Sequence, residues 1–322
     1  MVMARDYRID TIKGFLIILV IMGHVITSLD NVNIVNHAVM GLIYVFHMPL
    51  FILLSGYLTK PPEQQSAHDM WRGVINTFII AIVFHLITTL RMYAIGGDPM
   101  VVLQSFPQGV LWYLVSLGYW RIIHYYSPRW LLRNPVLYLS IALVISILCG
   151  LTHLGKLLSI QRTLNFYVFF LLGYYYRQGM ISQRWWRNNL LHGIAAVILL
   201  PLIFWLYPHC GNVMNGADHY PIAGIPQKVL ILSCSIALSL LVFNLARDFK
   251  PLRLIGQESL FYYVYHYFII IDIIVNAVGL LHLPKSFPFV VLYTAATVAM
   301  LWVMSKIPIF KWALQPVLNK RR

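Results

Sequence analysis

Ten apolar runs, most of them long enough for a helix to cross a bilayer, leave this chain room for little else. They fall at 13–29, 38–58, 73–95, 108–126, 135–154, 163–179, 189–207, 227–246, 257–280 and 287–307. A spanning helix needs about 20 apolar residues, because the hydrocarbon core is roughly 30 Å thick. Inside it, every backbone N–H and C=O must find its partner within the segment. Ten spans consume most of the 322 residues and leave no room for a separate soluble domain. The expected fold is all-α: a polytopic membrane protein with about ten transmembrane helices, residues 1–322 forming a single integral membrane domain. Composition agrees, since 60% of the residues are hydrophobic and only 11% are charged.

The net charge of +14 would suit a nucleic-acid partner, but the basic residues sit in short loops between the apolar runs. That distribution belongs to cytoplasmic loops facing anionic lipid, so membrane lipid is expected as a partner and nucleic acid is not. With the N-terminus placed inside, the outer segments hold only Arg91, Lys156, Arg162, Lys228 and Lys285 of the 24 lysines and arginines. The asymmetry puts both termini on the cytoplasmic side. Arg5, Arg8 and Lys13 precede the first apolar run as they would in a secretory signal, but no small-residue cleavage site follows. The run is read as a retained span.

The first span, Asp10-Thr-Ile-Lys13-Gly14 through Gly23-His24, carries charge at its mouth and a histidine deep inside. Lys13 and His24 are eleven residues apart, three helical turns plus roughly 20°, so they share one face about 16 Å apart along the axis. An ionisable group at that depth is costly and marks a function by default, unless a neighbouring helix merely satisfies it. The second span repeats the feature in Phe46-His47-Met-Pro49, with His47 at a similar depth reached from the opposite face. Pro49 frees a carbonyl one turn back and is expected to bend the helix. Ser55 and Gly56 allow close approach of a neighbour. In the ninth span Ser259, Tyr262 and His266 recur at helical spacing and share a face, with His266 again near the midplane. Asp272 lies further out, facing an outer cavity or pairing with a neighbour. His85 reads as structural. Arg72 stands at the cytoplasmic mouth, where it holds an anionic group or snorkels, and Trp112 opens the fourth span as a belt residue or a cavity wall.

The three cysteines, Cys149, Cys210 and Cys234, form no CxxC and give no disulfide framework. His209, Cys210, Asp218 and His219 gather in the longest outer loop, 208–226, but their spacing fits no standard ligand pattern, so no metal is expected. A polar cap over an outward-facing cavity is the better reading.

Taken together, these residues resemble the acyltransferase-3 family of integral membrane acyltransferases. The resemblance rests on Asp10, Lys13, Gly14, Gly23 and His24, then on Phe46-His47-Met48-Pro49-Leu50-Phe51 with Ser55-Gly56-Tyr57. It continues through Leu111-Trp112-Tyr113-Leu114, Phe169-Phe170-Leu171-Leu172-Gly173, and Ser259 with Tyr263 ahead of His266. The first two blocks are fairly specific, and the others are weak alone. Where this family typically has an arginine eleven residues before its first-span histidine, Lys13 keeps the charge and loses the bidentate fork.

The resemblance implies transfer of an acyl group, most often acetyl, from cytoplasmic acyl-CoA to a hydroxyl of a surface glycan or its lipid-linked sugar precursor. The protein would be a multi-pass component of a bacterial cytoplasmic membrane, and a homo-oligomer is compatible with it. On that footing Lys13 and Arg72 hold donor phosphates. His24, and after it His47 and His266, takes the proton from the attacking hydroxyl or carries the acyl group for a moment. Ser55, Tyr57, Trp112, Ser259 and Tyr262 support the acceptor or the oxyanion. Two competing classes are a transporter or flippase with a histidine proton relay, and a membrane scaffold that would need no polar residues converging from both faces. The charge asymmetry makes a direct prediction. Reporter fusions after residue 31 and within 208–226 should read outside, and fusions near 184 and at the C-terminus inside; a cytoplasmic 208–226 loop would break the ten-span topology.

Overall fold

A computed structural model describes residues 6–29, 33–107 and 109–314. Arg5, Gln108 and the basic residues 320–322 lie outside the described residues, as do the side chains of 157, 204 and 206–215, which include His209 and Cys210. Among the described residues there is helix and no strand. The principal helices are α1 (Tyr7–Ser28), α2 (Ile34–Tyr57), α3 (Ala67–Ala94), α4 (Trp112–Tyr126), α5 (Pro135–Leu148) and α6 (Ile160–Arg177). They are followed by α7 (Asn189–Asn215), α8 (Ile225–Leu245), α9 (Lys250–Gln257), α10 (Ser259–Ile269) and α11 (Phe287–Met304). A π-helical stretch, Ile270–Val275, prolongs α10 toward Leu280.

A helix occupies each of the ten predicted segments, and among the described residues seven candidate spans are long and apolar enough to cross a membrane. Two of the others, Pro135–Leu151 and Asn189–Ile203, are shorter apolar helices. The third is α6, whose 18 residues include Gln161, Arg162, Asn165 and Arg177.

The ends of these helices are set by ordinary capping chemistry. Asp6 accepts from the Arg8 N–H at the start of α1, and Asp10 adds an acid to the first turn. Ser66 caps α3 by accepting from the Asp69 N–H, and its hydroxyl in turn donates to the Asp69 carboxylate. Pro135 opens α5, where a missing N–H costs nothing.

The helices sort into two compact units. The first holds Met1–Phe51, Asn189–Trp205 and Cys234–Leu314, and the second holds Ile52–Asn188 and Leu206–Ser233. In the first, α1 packs against α9 backbone to backbone. A Cβ on Gly14 would collide with the Leu252 carbonyl, and one on Gly256 with the Asp10 carbonyl and the Gly14 N–H. The same unit ties its last short helix, Pro308–Trp312, to α10: Lys311 pairs with Glu258 at 2.6 Å, and the Tyr265 hydroxyl donates to the Phe310 carbonyl. In the second unit, the end of α2 crosses α6 through Gly56 and Gly173, which meet the Phe170 and Leu53 carbonyls. Small residues permit such approach where no hydrophobic effect drives helices together. Gly14→Ala and Gly256→Ala should each cost about 1–3 kcal/mol in unfolding in detergent, the range for overpacking against an atom that cannot rotate away. Unchanged melting of either variant would mean the two backbones are not in contact.

Candidate active site

The first unit brings the three predicted histidines together. The rings of His24 and His266 stand 5.1 Å apart between centroids, and His47 lies within electrostatic range of His24. Two of the three are fixed by their own helices. His47 Nδ1 donates to the Ile43 carbonyl at 2.6 Å, and His266 Nδ1 to the Tyr262 carbonyl at 3.1 Å. With Nδ1 carrying the proton, Nε2 of each neutral ring is left as an acceptor. His266 is completely buried, and its Nε2 has no hydrogen-bond partner among the described residues. His47 is buried as well, whereas His24 as a whole residue is part-exposed. Tyr267 packs edge-on against His24 at 6.0 Å and Tyr44 against His47 at 5.2 Å.

Lys13 lies on the His24 helix with its ammonium 3.5 Å from Asp10, which is buried. About a quarter of the lysine side chain remains exposed, so its charge is tempered by the acid and still reachable. Of the supporting residues expected in this unit, Tyr262 contributes its carbonyl to His266, and Ser259 starts the same helix one turn earlier.

The remaining predicted residues belong to the second unit. Ser55 is hydrogen-bonded to the Tyr113 hydroxyl at 2.7 Å. Tyr57 stacks on Tyr176, and the Arg177 guanidinium lies 4.9 Å over its ring. Trp112 stacks on Phe166, with Arg162 at 5.1 Å over the indole, so it is part of an aromatic wall. Arg72 sits half-buried on α3. His85 rests edge-on against Phe106 at 5.0 Å, a packing position. Asp272 falls on an exposed turn of the π-helical stretch. Among the described residues no three His, Cys, Asp or Glu side chains are grouped as a metal ion would need.

Sequence reasoning missed one polar centre altogether. Lys228, counted only as an outer basic residue, is 3% exposed within the second unit, where its ammonium donates to Asn165 Oδ1. The Ser146 hydroxyl donates to the same oxygen at 3.1 Å, and Asn165 is itself 1% exposed. A lysine next to a loop reads as solvated, and nothing in its spacing signals that the first turn of α8 is covered. Tyr113 was inside a quoted block without a role, and Tyr44 and Tyr267 lie one turn from, and next to, a predicted histidine.

A bundle of apolar helices long enough to cross a bilayer, with a histidine cluster in one compact unit, marks a polytopic membrane protein. The chain belongs to the acyltransferase-3 family, whose acyltransferase domain matches residues 6–306. A stretch of 59 residues, 17% of this chain, is 44% identical to the nodulation protein NolL of Sinorhizobium fredii (strain NBRC 101917 / NGR234). That match spans 16% of the relative's length. No solved structure matches the chain.

The Lys228 centre generates a prediction of its own. Asn165→Leu should remove the lysine's neutral acceptor and destabilise the protein by about 1–3 kcal/mol, the cost of a stranded buried donor. Adding Lys228→Met should recover most of that loss, because an apolar pair of similar volume strands nothing. Equal melting temperatures for Asn165→Leu and the double variant would show that the two side chains are not coupled.

Proposed function

We propose that this membrane acyltransferase moves an acyl group, acetyl by preference, from cytoplasmic acyl-CoA to a hydroxyl of a cell-surface glycan or its lipid-linked sugar precursor. The observation that supports it most is the histidine cluster, in which His24 stands beside two imidazoles whose tautomers are set by helix carbonyls. His24 Nε2 or Nδ1 takes the proton of the acceptor hydroxyl as its oxygen attacks the thioester carbonyl. The tetrahedral intermediate then collapses, the C–S bond breaks, and the CoA sulfur leaves with the proton returned from the imidazolium. In the covalent variant His24 attacks first and passes the acyl group to the hydroxyl in a second step.

Lys13, on the same face as His24, is the donor-phosphate contact in this reading, with Arg72 as a second cation. Ser55, Tyr57, Trp112, Ser259 and Tyr262 are assigned to the acceptor or the oxyanion. The setting is a bacterial cytoplasmic membrane, with about ten spans and both termini inside. A transporter reading has no observation in its favour beyond the histidines themselves, and the family membership weighs against it.

One set of kinetics with purified protein tests the assignment. His24→Gln should lose at least the 10²- to 10⁴-fold typical of a missing general base while still inserting and binding acyl-CoA, since glutamine can hydrogen-bond but cannot accept the proton. Lys13→Ala should raise the KM for acyl-CoA about ten- to a hundredfold, the worth of one charge-assisted contact. Near wild-type turnover in His24→Gln would make His24 a packing residue.

A further inference from the structure

The carbonyl that Pro49 leaves without a partner does not stay unpaired. Proline has no N–H, so within α2 the Val45 carbonyl lacks the donor that residue 49 would ordinarily give it. Val45 is 1% exposed, and no water is at hand in hydrocarbon to take the place of that donor. The Ser235 hydroxyl, from α8 in the same compact unit, donates to it at 2.5 Å. Ser235 is itself 2% exposed. Serines within helices commonly return their hydroxyl to a carbonyl one turn back, as Ser233 does to Val229 at 2.8 Å. Ser235 also reaches across to another helix, to the carbonyl that Pro49 has orphaned.

His47 lies between Val45 and Pro49, inside the turn whose hydrogen-bond ladder is interrupted. Its ring hangs from the Ile43 carbonyl at 2.6 Å, on the same strand of backbone. We infer that Ser235 is a positioning residue for His47: it replaces the missing ladder bond, fixes the opened turn, and so holds the imidazole beside His24. This rests on the proposed role of His47 in acyl transfer. Ser235 touches no reacting atom in this scheme; it acts through Val45 and the backbone of α2.

The test is a double-mutant cycle with Pro49, read in both turnover and melting of purified protein in detergent. Ser235→Ala in the otherwise native chain should lower kcat about two- to tenfold, the span of one neutral hydrogen bond, and leave the KM for acyl-CoA unchanged. It should also lower the melting temperature. Pro49→Ala restores the N–H at residue 49, so Val45 regains a donor within its own helix. In that background Ser235→Ala should cost less than twofold in kcat and little in melting. Equal losses in both backgrounds would overturn the inference and make Ser235 a packing residue. Coupled melting with uncoupled kcat would also overturn it, because the bond would then exist without positioning His47. If Pro49→Ala has no measurable turnover, uncoupled melting overturns the inference, and coupled melting together with the kcat-only loss in Ser235→Ala sustains it. A fully active His47→Ala, by contrast, would remove the functional reading of His47 while the melting cycle still showed the hydrogen bond.

Discussion

Inside a bilayer the only plentiful polar partners are the carbonyls of the helices themselves, and the arrangement of this protein follows from how it uses them. A helix carbonyl normally serves one N–H four residues on, and its second lone pair is idle. Ile43 and Tyr262 give that second lone pair to the imidazoles of His47 and His266. Val45, whose ladder partner is a proline, takes a serine hydroxyl from α8. The same economy covers Trp120, whose indole N–H donates to the Thr163 carbonyl at 2.8 Å. Polar side chains are thereby held in fixed orientations at a depth where water cannot do it.

That fixation has a chemical consequence. A ring tied at Nδ1 presents Nε2 as a lone pair, so His47 and His266 are oriented acceptors before any substrate arrives. His24 is not held in this way by any contact described above, and it is the one of the three that remains partly accessible. In the proposed reaction the His24 imidazole does the proton work and the two tied ones shape its surroundings. The close backbone contacts serve the same end. By letting α9 lie against α1, Gly14 and Gly256 set the wall from which Lys13 and His24 project.

Much of this was legible in the sequence, and the rest was hidden for identifiable reasons. Hydropathy put each of its ten segments on a helix, because an apolar run of that length has few alternatives, and seven of the described helices are long and apolar enough to span. It missed α9, eight residues with Lys250, Pro251 and Arg253, which read as a basic loop. The π-helical turn around Asp272 was equally invisible, since one extra residue per turn leaves no trace in composition. Helical spacing placed His24, His47 and His266 at one depth. Whether their rings would meet depended on which helices became neighbours, and periodicity does not encode that. Pro49 announced an orphaned carbonyl but not the hydroxyl, 190 residues away, that would answer it. Gly14, Gly56 and Gly173 belonged to the quoted motifs, and the structure supplies their reason: each sits where a Cβ would strike another helix's backbone.

The central claim is that acyl groups leave CoA and reach a glycan through this protein. It is tested most directly by supplying membranes that contain the protein with acyl-CoA carrying carbon-13 in its acetyl group, then weighing the surface glycan. The account predicts that the labelled acetyl appears on the glycan as an ester, and that membranes lacking the protein show none. An unlabelled glycan of unchanged mass, with the label remaining on CoA or as free acetate, would contradict it.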